Sequence, residues 1–450
     1  MSGAWGPPPD HHDTAESSGA RHHPVPAAID PAPAGRVLFV GARQVVTCAG
    51  PARARRGDEM ADLGIRTDVA VAVDGGRIAA VGPVGELGRR FPDAAEVDCG
   101  GGVLLPGLVD SHTHAVFGRP RYEEHELRAT GVPYMEIARR GGGIHASVRD
   151  LRSRSDDELV ALALPRLRRM ASHGVTTVEV KSGYGLSLHD ELRTLDVVRR
   201  LQALTPLRLV PTWLGAHEIP AEFRETAVAR QGYMRLLREE MLPAVVAQGV
   251  ARYADVFCEP GVFSVEESRD LLSAAGQAGL GLKLHADELE TSGGAELAAS
   301  LEAVSADHLA AVSAEGIRRL AASRTVATLL PGTMLFLGRA PAPARALVAA
   351  GAAVALATDF NPGTSPTTNL PLILTLGVSV LRLSVAEAVT AATVNAAAAL
   401  DLAGETGQIA PGFSADLALF DADDVRELPY WYGERLCRAS WACGQPCHRP

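Results

Sequence analysis

The chain has 450 residues, 47% of them hydrophobic, which suits a barrel of roughly 250 to 300 residues with a smaller companion domain. Its formal net charge of -10 at pH 7 argues against nucleic acid as a partner. It contains no run of about 18 uninterrupted apolar residues, so the sequence predicts neither a membrane-spanning helix nor a membrane partner.

The first segment, residues 1–34, is rich in Pro, Ala, His and Gly. It offers too little large apolar surface to offset the entropy of ordering it, so we expect a disordered N-terminal extension. The segment also lacks the apolar core of a secretory signal, which favours a cytoplasmic location.

Short β-like pieces follow, from Arg36 to about Cys99. Two of them flank Asp74-Gly75-Gly76, a turn signal that predicts a hairpin. Near the other end of the chain, Ala415 to Phe420 again predicts a strand. Two β segments that flank a larger unit most simply form one small composite β domain, a β-sandwich of residues 35–103 and 405–450.

Between them, residues 104–404 contain eight short apolar runs that alternate with segments of helical composition. Such alternation predicts a parallel sheet covered by helices, and eight units indicate an α/β fold of the (β/α)8 TIM-barrel type. The runs begin at Leu104, Val175, Leu207, Tyr253, Gly279, Ala303, Thr325 and Ala353. In such barrels the chemistry lies at the C-terminal ends of the strands.

Several runs end on residues that could hold a metal ion. The first ends on His112-Thr113-His114, and both imidazoles point the same way because side chains alternate along a strand. His285 and Asp359 end two other runs. Three imidazoles and a carboxylate suit zinc or iron(II), and such a metal lowers the pKa of its water to about 7. The alternatives are a pair of hydrogen-bonded histidines at a strand end and, for Asp359, a helix cap.

Further polar residues complete a candidate site. Asp359 could also carry a proton to a leaving nitrogen, and Glu288 could turn back towards the water. His308 could stabilise an oxyanion, although it could also be a buried, satisfied histidine. Arg121 is a candidate anchor for a substrate carboxylate, because a guanidinium pairs with a carboxylate in a bidentate fork. The remaining candidates are persuasive mainly as a set: Tyr134, Tyr184 and His217.

Together these motifs resemble the amidohydrolase superfamily, whose Pro-Gly-x-x-Asp-x-His-x-His opening is present as Pro106 to His114. Over residues 36 to about 432 they resemble more narrowly the imidazolonepropionase family of histidine degradation. The segments that carry the narrower resemblance are His112–Gly118, Tyr134–Ile137, Glu179–Gly185, Gly215–His217, Lys283–Glu288, Ser305–Leu309 and Ala357–Gly363.

The resemblance implies a hydrolase that opens the ring amide bond of a small-molecule substrate, 4-imidazolone-5-propanoate, to give N-formimidoyl-L-glutamate. It also implies one divalent metal per chain, Zn2+ or iron, and a homodimer. The metal ligands it implies are His112, His114, His285 and Asp359, and the catalytic residues are Glu288, His308 and Asp359. The substrate-binding residues it implies are Arg121, Tyr134, Tyr184, His217, Glu288, Asn361, Gly363 and Thr364.

Departures from the family lie outside this candidate site. The stretch from Cys437 to residue 450 lacks the apolar strand that usually closes the β domain, so we expect it to be altered. Its three cysteines and His448 could bind zinc, but their spacing favours a plain tail. The predicted fourth strand, Tyr253 to Cys258, lacks the lysine that bridges two metals in binuclear relatives, which favours a single metal.

Two other functions stay open. A deaminase of a purine, pyrimidine or guanidine-like compound would use the same scaffold, but its substrate need not carry a carboxylate for Arg121 to hold. A catalytically silent metal-binding protein is the other alternative. It would have no chemical need for all of His112, His114, His285, Asp359, Glu288 and His308.

Overall fold

A computed structural model of the chain describes residues 35–132, 136 and 141–449. The N-terminal extension expected at residues 1–34 and the candidate Tyr134 lie outside the described residues. Within the described ranges, no helix combines the length and the apolar character needed to cross a membrane.

The middle of the chain forms a sheet of eight parallel strands, each paired with the next in chain order. The strands are β8 (Leu108–Asp110), β9 (Val175–Lys181), β10 (Arg208–Ala216), β11 (Tyr253–Cys258), β12 (Gly281–Ala286), β13 (Ser305–His308), β14 (Val326–Leu329) and β15 (Val354–Leu356). Each of the eight apolar runs contributes one of them, which confirms the predicted barrel fold. Their nearly continuous apolar sequences reflect burial on both faces of the sheet.

The segment that follows β8 closes the barrel. The Asp359 N–H donates to the His112 carbonyl at 3.0 Å, and the His114 N–H donates to the Phe360 carbonyl at 2.8 Å. The His-x-His segment is therefore held against the end of the eighth strand. This pairing brings residues that lie about 250 positions apart in the sequence into one site.

Helices cover the outside of the barrel, and several begin with a capping box. Ser155 with Glu158, and Ser264 with Glu267, satisfy the free N–H groups of the first turn in this way. The α-helices are Val84–Arg90, Tyr122–Ala129, Ile144–Arg152, Asp156–Ala171, Leu188–Gln202, Ala227–Arg235, Leu242–Gln248, Val265–Gln277, Gly294–Ser300, Ala314–Ala322, Pro331–Leu337, Ala344–Ala349, Leu370–Ser379, Val385–Ala391 and Val394–Ala398. Short 3-10 turns at Gly57–Ala61, Ala221–Phe223 and Val425–Glu427 and a π turn at Leu236–Met241 complete the helical elements.

Strands from both ends of the chain form two further sheets. The strands are β1 (Val37–Val40), β2 (Gln44–Val46), β3 (Ile65–Arg66), β4 (Val69–Asp74), β5 (Arg77–Pro83), β6 (Ala95–Asp98), β7 (Val103–Pro106), β16 (Leu417–Phe420), β17 (Cys437–Ala442) and β18 (Gln445–His448). One sheet has the order β5-β4-β1-β6, and the other has the order β18-β17-β16-β7-β2-β3. Phe39 and Trp441 meet edge to face at 4.9 Å in the core between the sheets.

Two features of these flanking sheets differ from the sequence-based expectations. The apolar run from Leu104 to His114 is divided, because Val103–Pro106 pairs with Leu417–Phe420 and the barrel begins only at Leu108. The expectation that the chain lacks a closing strand after Cys437 is wrong, since Cys437–Ala442 is a mostly buried strand of the second sheet. That strand is hard to predict because small and polar residues separate its apolar side chains.

The C-terminal cysteines are free in the structure. Cys437 is buried, whereas Cys443 is exposed. Over the ranges the structure describes, the groups of side chains that could hold a metal ion do not include these cysteines or His448.

Candidate metal centre and active site

The four predicted ligands meet at the C-terminal mouth of the barrel. The Nε2 atoms of His112 and His114 lie 3.5 and 3.6 Å from Asp359 Oδ1. The rings of His112 and His285 are 4.6 Å apart between centroids. One nitrogen from each histidine lies within 4.8 Å of the others, so a single ion can contact all three.

Buried atoms without partners show that these residues fit a metal ion. His112 Nε2 and both ring nitrogens of His285 are buried and have no hydrogen-bond partner in the described part of the chain. The same holds for His114 Nδ1, while the Nε2 of that ring faces Asp359 Oδ1. Burial lowers the pKa of His112 and of His114 well below the ordinary value, so both rings are neutral. Neutral imidazoles with unused nitrogens are the donors that Zn2+ and iron(II) take.

Carboxylates beneath the histidines orient two of the rings. Asp307 Oδ2 lies 2.6 Å from His112 Nδ1, and Asp255 Oδ2 lies 3.0 Å from His285 Nδ1. A carboxylate beside Nδ1 fixes the proton there and leaves Nε2 for the metal. We did not predict the roles of these aspartates, although an acidic residue inside a fully buried strand is a usable signal.

Asp359 has one oxygen occupied and the other turned to the histidines. Thr333 Oγ1 donates to Asp359 Oδ2 at 2.5 Å, which leaves Oδ1 facing His112 and His114. Burial raises the pKa of Asp359 to about 6. The backbone of Asp359 has a φ of +51°, and that of His308 has a φ of +79°, conformations that non-glycine residues seldom adopt.

Glu288 and His308 face each other beside this centre. Their side chains approach to 3.6 Å, between His308 Nε2 and Glu288 Oε2. Burial, with the nearby charges of Asp359 and Glu259, raises the pKa of Glu288 well above its usual range. Glu259 Oε2 also accepts from the Glu288 N–H at 3.1 Å and so fixes the start of this loop.

The site opens into a cavity of about 400 Å³. Ten of the sequence-predicted residues line it: His114, Arg121, Tyr184, His217, His285, Glu288, His308, Asp359, Asn361 and Thr364. His112 is fully buried below it, and Gly363 is not part of the lining. Sequence reasoning missed the eight other lining residues, among them Arg128, Phe257 and Arg339, whose sequence surroundings carry no distinguishing motif.

Arg121 is buried on the wall of the cavity. Its Nη1 donates to Ser147 Oγ at 3.0 Å, and its Nε lies 3.4 Å from Glu124 Oε2. Any side chain at Gly363 would collide with the guanidinium, so that glycine makes room for Arg121. Gly363 therefore shapes the site without lining it.

His217 and Tyr184 lie on another side of the cavity. His217 stacks on His114, with ring centroids 5.0 Å apart. The ring centroid of Tyr184 lies 5.4 Å from that of His217. Burial lowers the pKa of His217 to about 3, so the ring is neutral. Its Nδ1 lies 2.9 Å from the Gly183 carbonyl and must donate there, which leaves Nε2 as an acceptor.

Asn361 organises its own loop. Its Oδ1 accepts from the Gly363 and Thr364 N–H groups at 2.9 and 2.7 Å. Its Nδ2 donates to the Asp359 carbonyl at 2.7 Å and to Thr364 Oγ1 at 2.8 Å. Both the oxygen and the nitrogen of the amide therefore have partners within the loop. This geometry supports a role for Asn361 in fixing the loop conformation, in addition to the predicted contact with substrate.

The sequence matches known families. A model described as Amidohydrolase family matches residues 124–447, and one described as Imidazolonepropionase-like composite domain, bacteria, matches residues 70–94. The imidazolonepropionase of Geobacillus kaustophilus is 46% identical over 404 residues, which cover 88% of this chain and 95% of the relative. That of Symbiobacterium thermophilum is 48% identical over 402 residues, covering 88% and 93%. This chain belongs to the imidazolonepropionase family of amidohydrolases.

Solved structures with the same fold are more distant in sequence. The guanine deaminase of E. coli has a TM-score of 0.68 at 16% identity and covers 92% of this chain and 99% of its own. An adenosine deaminase from Xanthomonas campestris with bound zinc has a TM-score of 0.67 at 20% identity, covering 91% and 92%. This imidazolonepropionase-family chain therefore shares its overall fold with these two deaminases.

Proposed function

We propose that this member of the imidazolonepropionase family hydrolyses the ring carbon–nitrogen amide bond of 4-imidazolone-5-propanoate to N-formimidoyl-L-glutamate. One observation carries the proposal: a single cavity contains both a His/Asp cluster suited to a metal and a buried arginine suited to a carboxylate. The relatives described above, which are named for this activity, support it.

We propose that His112, His114, His285 and Asp359 hold one divalent ion per chain, Zn2+ or iron, since the same ligands suit both. When bound, such an ion polarises a carbonyl and lowers the pKa of a water molecule. The unpartnered imidazole nitrogens and the free Oδ1 of Asp359 support this ligand set.

The walls of the cavity would orient the substrate. Arg121 pairs with the propanoate carboxylate, because its bidentate guanidinium is already held by Ser147. His217 accepts a hydrogen bond from a ring N–H through Nε2, the nitrogen that the Gly183 contact leaves as an acceptor. Tyr184 lies beside this position and, with Thr364, completes the binding surface.

The remaining residues would carry the protons. Asp359 takes a proton from the attacking water as the water oxygen bonds to the ring carbonyl carbon. The carbonyl electron pair moves onto its oxygen, where His308 donates a hydrogen bond. When the pair returns, the carbon–nitrogen bond breaks and Asp359 delivers the proton to the leaving nitrogen. Glu288, whose raised pKa favours its protonated form, donates a hydrogen bond to the tetrahedral intermediate beside His308.

The test is the loss of imidazolone ultraviolet absorbance when freshly generated substrate meets the metal-loaded protein. We expect rapid loss with stoichiometric formimidoylglutamate, and neither in a chelated sample nor in Asp359→Ala. Asp423→Ala is the matched control, because that aspartate is 73% exposed in the small domain. Loss at the spontaneous rate, from protein shown to hold one metal per chain, would refute the proposal.

We also propose that the protein acts in the cytoplasm as a homodimer, as the family resemblance implies. Sedimentation of the purified full chain tests the second point, since a monomer at micromolar concentration contradicts it.

A further inference from the structure

The chain contains only two lysines, Lys181 and Lys283, among its 43 lysine and arginine residues. Both side chains are 0% exposed, on β9 and β12 below the metal centre. Arginine occupies every other basic position. An ammonium is a compact point charge with three donors, whereas a guanidinium is planar and larger. In a chain that otherwise uses arginine, both lysines therefore lie at buried positions beneath the site.

Lys181 bridges three acids that support the metal ligands. Its Nζ lies 2.7 Å from Asp255 Oδ2, 3.0 Å from Glu179 and 3.7 Å from Asp307 Oδ2. Asp255 is the acid that contacts His285 Nδ1. Lys181 therefore lies one contact away from a proposed metal ligand.

Lys283 approaches the same acids from the neighbouring strand. Its Nζ lies 3.2 Å from Glu179 Oε1 and 3.8 Å from Asp307 Oδ2. It also donates to the Ser111 carbonyl at 3.1 Å, next to His112. Asp307 is thus positioned between two ammonium groups and His112 Nδ1.

These ammonium groups occupy a place that would otherwise suit a cation. Ligand atoms of His112, Glu179 and Asp307 lie within 4.8 Å of one another. Each lysine Nζ lies within 4 Å of both carboxylates in that group. Buried carboxylates are strongly unfavourable without a counter-charge, and removing one partner of a buried ion pair leaves the other uncompensated.

We propose that Lys181 and Lys283 are positioning residues that act in place of a second cation. By compensating Glu179, Asp255 and Asp307, they hold Asp307 and Asp255 against the Nδ1 atoms of His112 and His285. The Nε2 atoms of both rings then point to the metal. The inference deepens the proposed function, because it concerns the same site.

The test compares cobalt-loaded full-length variants by visible absorption, which reports ligand geometry without any substrate. Lys283→Met removes the charge at similar volume, and Lys283→Met with Glu179→Gln removes the charge and its partner together. Arg252→Met is the matched control, since it removes a 42% exposed cation just before the adjoining strand β11. Circular dichroism checks folding, and kcat and KM are measured alongside.

We expect Lys283→Met to change the cobalt spectrum and to lower kcat at least tenfold with KM within twofold. The charge-balanced pair should regain the parental spectrum and a kcat within threefold of the parent, as Arg252→Met does. A parental spectrum and kcat in Lys283→Met would overturn the proposal. So would a folded pair that is no closer to the parent than the single variant.

If Lys283→Met is insoluble, the charge-balanced pair decides alone. A soluble pair with the parental spectrum supports the proposal, whereas an insoluble pair or an altered spectrum contradicts it. Because the spectrum needs no substrate, it can be read even if the imidazolone assay fails. Failure of the hydrolysis proposal is therefore distinguishable from failure of this one.

Discussion

The floor and the rim of the site are built in different ways. The floor consists of Glu179, Lys181, Asp255, Lys283 and Asp307, whose side chains are fully buried. The rim consists of Arg121, Tyr184, His217, Asn361 and Thr364, which line the cavity. Floor residues lie on strands and satisfy one another by charge. Rim residues lie on loops or at a strand end, and four of them, Arg121, His217, Asn361 and Thr364, are fixed by short hydrogen bonds to neighbouring groups.

Because of this difference, we expect substitutions in the floor and in the rim to change different properties of the site. The floor contacts His112 through Asp307 and His285 through Asp255, so on our proposal damage there should change metal geometry and kcat. In the proposed function the rim binds the substrate, so damage there should change KM. Asp359 lies between the two regions, because it faces the histidines and also borders the cavity.

The largest effect is expected at this junction. Asp359→Asn keeps the shape of the side chain and its bond to Thr333, but an amide cannot take a proton from water. We expect kcat to fall by about 1000-fold, the range of general acid–base catalysis. Initial rates with metal content measured on the same sample test this. A variant that holds one metal and keeps a tenth of the parental kcat would remove Asp359 from the proton path.

The rim is tested by Arg121→Met, which keeps much of the apolar stem and removes the charge. Losing a charged hydrogen bond of about 1.5 to 3 kcal/mol should raise KM roughly 10- to 100-fold, with the cobalt spectrum unchanged. Arg119→Met is the neighbouring control, because Arg119 is 66% exposed.

A substrate analogue without the propanoate group sharpens the same experiment. The parent and Arg121→Met should have the same KM for this analogue, because it carries no carboxylate for Arg121 to bind. If Arg121→Met raises the KM for the analogue as much as the KM for the substrate, the arginine supports the wall of the cavity and does not bind the carboxylate.

A smaller effect concerns the stability of the metal-free protein. Burial raises the pKa of Asp359 to about 6 from an ordinary 3.8, so the folded state binds more protons between these values. The protonated Asp359 carboxyl therefore stabilises the folded state below pH 3.8, and this stabilisation is lost as pH rises through 6. When the pH rises from 5 to 7.5, the free energy of unfolding of the chelated parent should fall by about 1 kcal/mol more than that of chelated Asp359→Asn. Urea denaturation at both pH values measures this, and parallel pH profiles would contradict it.

The sequence predicts the barrel and places the four candidate ligands at one mouth because their signals are local. His112 and His114 share one extended segment, and His285 and Asp359 follow apolar runs, so strand ends alone bring them together. The roles of Asp307 and Asp255 are different. Asp307 contacts a histidine 195 positions away, and nothing near it in the sequence identifies that partner.

The remaining failures also involve distant pairing. The strand Cys437–Ala442 is stabilised by Leu417–Phe420 and by the contact of Trp441 with Phe39, not by an apolar run of its own. The relation between Gly363 and Arg121 requires the 363 loop to fold against a helix start 242 positions earlier. Such effects depend on tertiary packing, which overrides local patterns.

The smallest predicted effect is at Gly363, where the rim can be altered without touching a polar group. A Cβ there would collide with the Arg121 guanidinium, and because that group ends a flexible side chain, it can shift. We expect Gly363→Ala to raise KM about fivefold through this misplacement, with kcat nearly unchanged. Gly404→Ala is the matched control, because a Cβ at Gly404 meets nothing within 4 Å. In the Arg121→Met background, Gly363→Ala should raise KM no further, since contacting residues are not additive. An additive rise in the double variant would mean that Gly363 acts on the substrate independently of Arg121.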